Sequence, residues 1–168
     1  VVLSTGNVGF IGGPNASDNV SQNNLLDGDA DLSLVAGMTT FDATVLEFDF
    51  TCTQPLGLSF RYVFASDEYN EFVGSQFNDV FACFVNGQNV ALIPGTNHPT
   101  TLQTVNASQN RAFYRTNDCS TLGLGYPCSH IATEMDGLTV VLSATGTLQP
   151  GVNHVKLAIA DSADDIVD

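Results

Sequence analysis

Between Arg61 and Val85 the chain reads RYVFASDEYNEFVGSQFNDVFACFV, and no other stretch restricts the fold as much. Two apolar, aromatic-rich runs, Tyr62–Ala65 and Val80–Val85, flank a loop that carries Asp67, Glu68, Glu71, Asn78 and Asp79. Short runs of Val, Phe and Tyr fit the pleated, packed surface of a buried strand. Carboxylates gathered where two strands end repel one another unless a hard cation lies among them, and such an oxygen-rich set is what calcium takes. The stretch therefore points to a metal-stabilised β-sandwich that binds or builds something.

The rest of the chain has the same character. TVLEFDFT over Thr44–Thr51 alternates, with Leu46, Phe48 and Phe50 on one face and Val45, Glu47 and Asp49 on the other. Further strands are predicted at Val1–Ser4, Leu58–Ala65, Asp79–Val85, Gln88–Ile93, Leu102–Val105, Ala112–Arg115, Thr139–Ala144 and His154–Ala160. Asn86-Gly87 is a hairpin turn. One short helix is expected within Leu25–Val35, with Leu32 and Val35 facing inward. The segment Gly6–Asn24 and the stretch Asn117–Ser129 read as irregular loops. About nine short strands with turn residues between them predict an all-β fold, a jelly-roll-like sandwich. At 168 residues with no internal linker, the whole chain 1–168 is expected to be one domain. Both ends interrupt apolar patterning, so the domain is expected to be cut from a longer extracellular protein, and the lack of a leader says little about secretion.

Charge narrows the partners. Four Lys and Arg stand against 18 Asp and Glu, for a net charge of −14, which argues against nucleic acid and anionic membrane. Only 13% of residues are charged while 43% are hydrophobic, so this is no disordered acidic tail, and no segment is suited to membrane insertion. Four cysteines without metal-type spacing favour disulfides and an oxidising compartment. Of the three possible pairings, Cys119–Cys128 comes first because these two bracket a short loop, leaving Cys52 with Cys83. Sequons at Asn15, Asn19 and Asn106 offer N-glycosylation sites.

A second acidic run, Asp161, Asp164, Asp165 and Asp168, follows the His154–Ala160 strand, and two acidic loops at strand ends can meet on one rim. A third, Asp27-Gly28-Asp29-Ala30-Asp31, lacks the Gly and Glu that an EF-hand loop needs at positions six and twelve and is suited instead to capping a short helix. Glu47 is a weaker candidate for the metal rim. Catalytic arrangements are missing: His98, His130 and His154 stand in no metal-ligand spacing, and there is no nucleophile elbow or phosphate loop. The chain has no Trp, and only Tyr69, Tyr114 and Tyr126 are placed to stack on a sugar, although calcium can engage sugar hydroxyls without aromatics.

The segments LSTGNVGFIGGPN, GDADL, TFDATVLEFDF, FASDEYNEF, FNDVF and EMDGLTVVLSATGTLQPGVNHVKLAIADSADDIVD resemble the choice-of-anchor L domain over nearly the whole length. The resemblance implies a β-rich, secreted or cell-surface module of a large extracellular protein. Carried over to matching positions, it implies Asp67, Glu68, Asp79, Asp161 and Asp168 as the metal-rim residues, with calcium as the cofactor. The cysteines and the Asn117–Ser129 insertion depart from the family pattern and imply a disulfide-stabilised variant. Members of the family continue with one more apolar strand, which implies truncation here, or a final strand lost, cleaved or contributed from elsewhere. The expected role is non-catalytic, structural or adhesive, within a surface protein or filament. The partners would be other extracellular domains or copies of the chain itself, and the alternative is a calcium-dependent carbohydrate-binding module.

Overall fold

The alternating segments around residues 45 and 155 become the two long strands of the molecule. The computed structural model describes residues 1–120 and 127–163, and among them ten strands form three antiparallel sheets. β1 (Thr40–Cys52), β10 (Gly151–Ser162) and β4 (Val80–Val85) make the main sheet in the order β1-β10-β4, with the two-residue strands β5 (Gln88–Asn89) and β6 (Thr100–Thr101) both on β4. β2 (Leu56–Tyr62) pairs with β9 (Leu142–Leu148) in the opposing layer. β3 (Ala65–Ser66), β8 (Gly137–Thr139) and β7 (Tyr114–Thr116) form a small sheet at one end. The fold is the all-β sandwich the sequence predicts.

All six residues of β4 are buried, and the reason is that it has a core on each face. Phe81, Cys83 and Val85 pack with Leu142, Ala144 and Leu148 between the layers. Val80, Ala82 and Phe84 pack with Ala158, Ala160 and Leu32 of the helix α1 (Ala30–Ala36) on the outer face. A strand covered on both sides reads as an unbroken apolar run, which is how it stands in the sequence. Asp29 caps α1, its side chain accepting from the N–H groups of Asp31 and Leu32, and Gly37 ends it in the left-handed region. Lys156 Nζ on β10 reaches Asp29 at 2.6 Å and Asp31 at 2.8 Å, which ties the helix to the sheet. The Asp27–Asp31 run is thus a helix start.

Other expectations are corrected. Val1–Ser4 and Leu102–Val105 are not strands; the latter turns back on itself through the Val105 N–H to Thr101 O bond. The Asn86-Gly87 turn forms with both φ angles positive, as a type I′ hairpin requires, but its return strand covers only Gln88–Asn89. On β1, Phe50 packs on the core while Leu46 and Phe48 are largely exposed, because the two-stranded layer β2-β9 is too narrow to cover β1 at the edge of the five-stranded one.

Cys119 and Cys128 are joined, with Cα atoms 5.2 Å apart. Cys52 and Cys83 are buried free thiols. Cys52 is level with Gly151 and Cys83 with Leu157, on opposite sides of β10. Six residues along the strand at about 3.3 Å each, plus two inter-strand spacings of about 4.8 Å, put them roughly 20 Å apart. A disulfide spans no more than about 7 Å between Cα atoms.

Candidate functional site

Four segments far apart in the sequence bring carboxylates into one crevice at the end of the sandwich. Asp67 follows β3, Glu71 lies in the turn after it, Asp118 follows β7, and Glu134 and Asp136 precede β8. The fourth segment is the loop of residues 15–20, which lies against the acids and carries Asp18 with it. Asn15 Nδ2 donates to Asp136 Oδ1 (2.6 Å), the Ala16 N–H to Glu134 Oε1 (3.1 Å) and the Val20 N–H to Asp67 Oδ2 (2.5 Å). Asp118 Oδ1 accepts from the N–H and the hydroxyl of Ser120, both at 2.7 Å. Asp18, Asp118 and Asp136 each present one oxygen within 4.8 Å of the other two.

Electrostatically this is an expensive arrangement. Asp67 and Asp136 are fully buried. Burial above all, then repulsion from Glu134, Asp18 and Glu71, pushes the Asp67 carboxyl up to about 7 against the relief from Val20. Burial, then Asp67, Asp118 and Glu71, pushes Asp136 to about 8 against the relief from Asn15. Glu71 is raised too, by burial and by Asp118 and Asp18. Asp67 Oδ1 and Asp136 Oδ2 are buried and accept no hydrogen bond among the described residues. Such a set can hold a proton or a hard cation.

A second feature lies between the layers. A groove of about 760 Å³ runs along the C-terminal half of β2. Phe60, Tyr62, Phe81, Leu157 and Ile159 line it, and the buried Asp79 and Asp161 reach it. Among the described residues β2 pairs only with β9, which leaves its other edge open.

The expected rim residues are therefore divided. Asp67 lies in the crevice. Asp79 accepts from Ser66 Oγ at 2.6 Å and lines the groove with Asp161, its neighbour across the β4–β10 ladder. Glu68 is buried, and with Asp79 it helps to raise the Tyr69 hydroxyl, which burial dominates. Asp164, Asp165 and Asp168 lie outside the described residues. Glu47 stands on the exposed sheet face beside His154, away from either site. Tyr69 and Tyr114 are fully buried and offer no stacking platform, and Tyr126 lies outside the described residues. The sequence reading missed Asp18, Asp118, Glu134 and Asp136; the one local signal is that Glu134-Met135-Asp136 closes an irregular segment just before a strand, as Asn78-Asp79 does.

The three sequons differ as well. Asn106 is buried, its amide donating to the Leu102 and Gln103 carbonyls, and Asn15 is spent on Asp136. Asn19 is exposed, with its carbonyl accepting from Ser17 Oγ. No helix among the described residues is long and apolar enough to cross a membrane.

Comparison with known proteins gives a family and nothing narrower. No curated protein and no solved structure matches the chain significantly. The family model described as the choice-of-anchor L domain matches residues 1–168, and the chain belongs to that family of extracellular, surface-associated and in general non-catalytic modules.

Proposed function

We propose that the domain is a calcium-stabilised structural and adhesive module of a larger surface protein, and that it receives an extended segment of another extracellular domain in its inter-sheet groove. The observation that carries this reading is the open edge of β2 beside an apolar groove of about 760 Å³. An open edge offers backbone hydrogen bonds, and pockets beside it select alternate side chains, the usual physics of strand addition. Asp79 and Asp161 favour an apolar segment with a basic side chain. A second copy of this chain is a poor occupant, since it has four Lys and Arg in all, with Lys156 already engaged, and a charge of −14 repels its own copies.

Hydrogen exchange of the Phe60–Val63 amides tests this, with acetylated heptapeptides of alternating valine and lysine, or valine and glutamate, as probes. Protection by the lysine peptide alone, weakened in Asp161→Asn, supports the reading; equal protection by both peptides, or by neither, overturns it.

Calcium-dependent carbohydrate binding is the second reading. The exposed Asp18 and Glu71 at the mouth of the crevice favour it, because a cation there would face solvent. Glycan-array binding abolished by EDTA is its signature, and calcium-independent or absent binding removes it.

A further inference from the structure

We infer that Asp18, Asp67, Asp118 and Asp136 form a calcium site, with Glu71 and Glu134 as surrounding negative charge. This names the place of the cation in the calcium-stabilised reading above and rests on it. Of the four aspartates only Asp67 stands out in the sequence as a ligand candidate.

The hydrogen bonds divide each buried carboxylate into two jobs. Asp136 spends Oδ1 on Asn15 and leaves Oδ2 buried without a donor. Asp67 spends Oδ2 on Val20 and leaves Oδ1 in the same condition. Asp118 gives Oδ1 to Ser120. In Asp136 and Asp67 one oxygen is held in place by the protein and its twin is left for something else, which is how outer hydrogen bonds orient the ligands of a metal. A buried carboxylate oxygen with no donor is costly, so a fold that keeps one on Asp67 and another on Asp136 calls for a compensating charge.

Spacing and chemistry then choose the ion. Calcium–oxygen distances of roughly 2.3–2.6 Å allow ligand oxygens up to about 5 Å apart across one ion. The three oxygens of Asp18, Asp118 and Asp136 meet that limit at 4.8 Å. All four donors are carboxylates, which suits a hard cation and gives zinc none of the nitrogen or thiolate it prefers. Asp18 and Glu71 are exposed, so entry needs no opening of the core. Among the described residues the other cluster of metal-binding residue types, Cys119, Cys128 and His130, is accounted for by the disulfide, whose sulfurs are not thiolates.

Calorimetric titration with calcium chloride, together with melting curves in calcium and in EDTA, tests the site on disulfide-intact protein. The variants are Asp136→Asn and Asp67→Asn in the crevice and Asp161→Asn in the groove. The two crevice substitutions keep size and remove charge, so they fold, and they raise the melting temperature in EDTA while lowering calcium affinity at least tenfold. A merely structural aspartate would lower both. Asp161→Asn keeps the wild-type affinity. Terbium, an oxygen-seeking calcium substitute, adds a spectroscopic readout through the neighbouring tyrosines, and its sensitised emission disappears in Asp136→Asn. Calcium stabilisation that survives both crevice variants overturns the site and leaves the calcium-stabilised reading standing. No binding and no shift in the wild type overturn that reading itself.

Discussion

Metal-free protein should lose stability as pH rises through neutrality, the reverse of what ion-paired carboxylates produce. Asp136 in the folded protein is pushed to about 8 and Asp67 to about 7, while in the unfolded chain both titrate near the ordinary aspartate value of about 3.9. A native group with a raised value holds its proton after the unfolded chain has released it. Its contribution is complete below pH 4 or so and is lost as pH climbs to the native value. Each pH unit in that window costs about 1.4 kcal/mol per retained proton. Between pH 5 and pH 7 Asp136 alone accounts for about 2.7 kcal/mol. Asp67 adds less than its own share because the two carboxyls titrate as a pair. A fall of about 3 kcal/mol corresponds to roughly 6–12 °C in melting temperature for a domain of this size. Thermal and urea unfolding in EDTA at pH 5, 6, 7 and 8 measure it. The Asp67→Asn/Asp136→Asn double variant should flatten the curve, and calcium should flatten it for the wild type. Stability that is level or rising from pH 5 to 7, or a fall just as large in the double variant, would refute the reasoning.

Lys156→Met keeps the aliphatic stem against Phe84 but leaves Asp29 and Asp31 without their cation, and urea denaturation should show a loss of about 3 kcal/mol, the low end for breaking a buried pair, since Asp31 is half exposed. In Gly137→Ala the new Cβ would sit 2.5 Å from the Tyr69 ring, which is fully buried against Tyr114, so overpacking should cost about 2–3 kcal/mol in the same assay. Produced in a host that glycosylates asparagine, the folded protein should lose a glycan mass in Asn19→Gln and show no change in Asn106→Gln, as read by intact-mass spectrometry.

Legibility in the sequence followed locality. The Asn86-Gly87 turn, the Asp29 cap and the unbroken apolar run of β4 depend on neighbours a few residues away, and each forms as its residues require. The crevice depends on pairs such as Asn15–Asp136 and Val20–Asp67, separated by 121 and 47 residues, and one sequence contains no signal of such a meeting. For the same reason the loop acids near 67 and 79 read as one rim, although Ser66 holds Asp79 on the groove side while Asp67 turns to Val20. Pairing Cys52 with Cys83 by elimination failed because strand register, which residue types do not encode, sets them on opposite sides of β10. Phe48 looked like core because its alternation was right; what it lacks is a third strand opposite.

β4 serves two cores at once, and this has a consequence for how such a domain can diverge. Each of its six side chains fills one core or the other, so every substitution along Val80–Val85 disturbs packing somewhere and no position is free to drift. β2 is the opposite case: its outward residues, Ser59 and Arg61 among them, touch solvent beside the groove. In a saturation library β4 would appear as a solid block of intolerance and β2 as a striped one. Lineages can therefore retune what lies along the groove from β2 while inheriting the same central strand, which is how one scaffold could acquire many attachment habits.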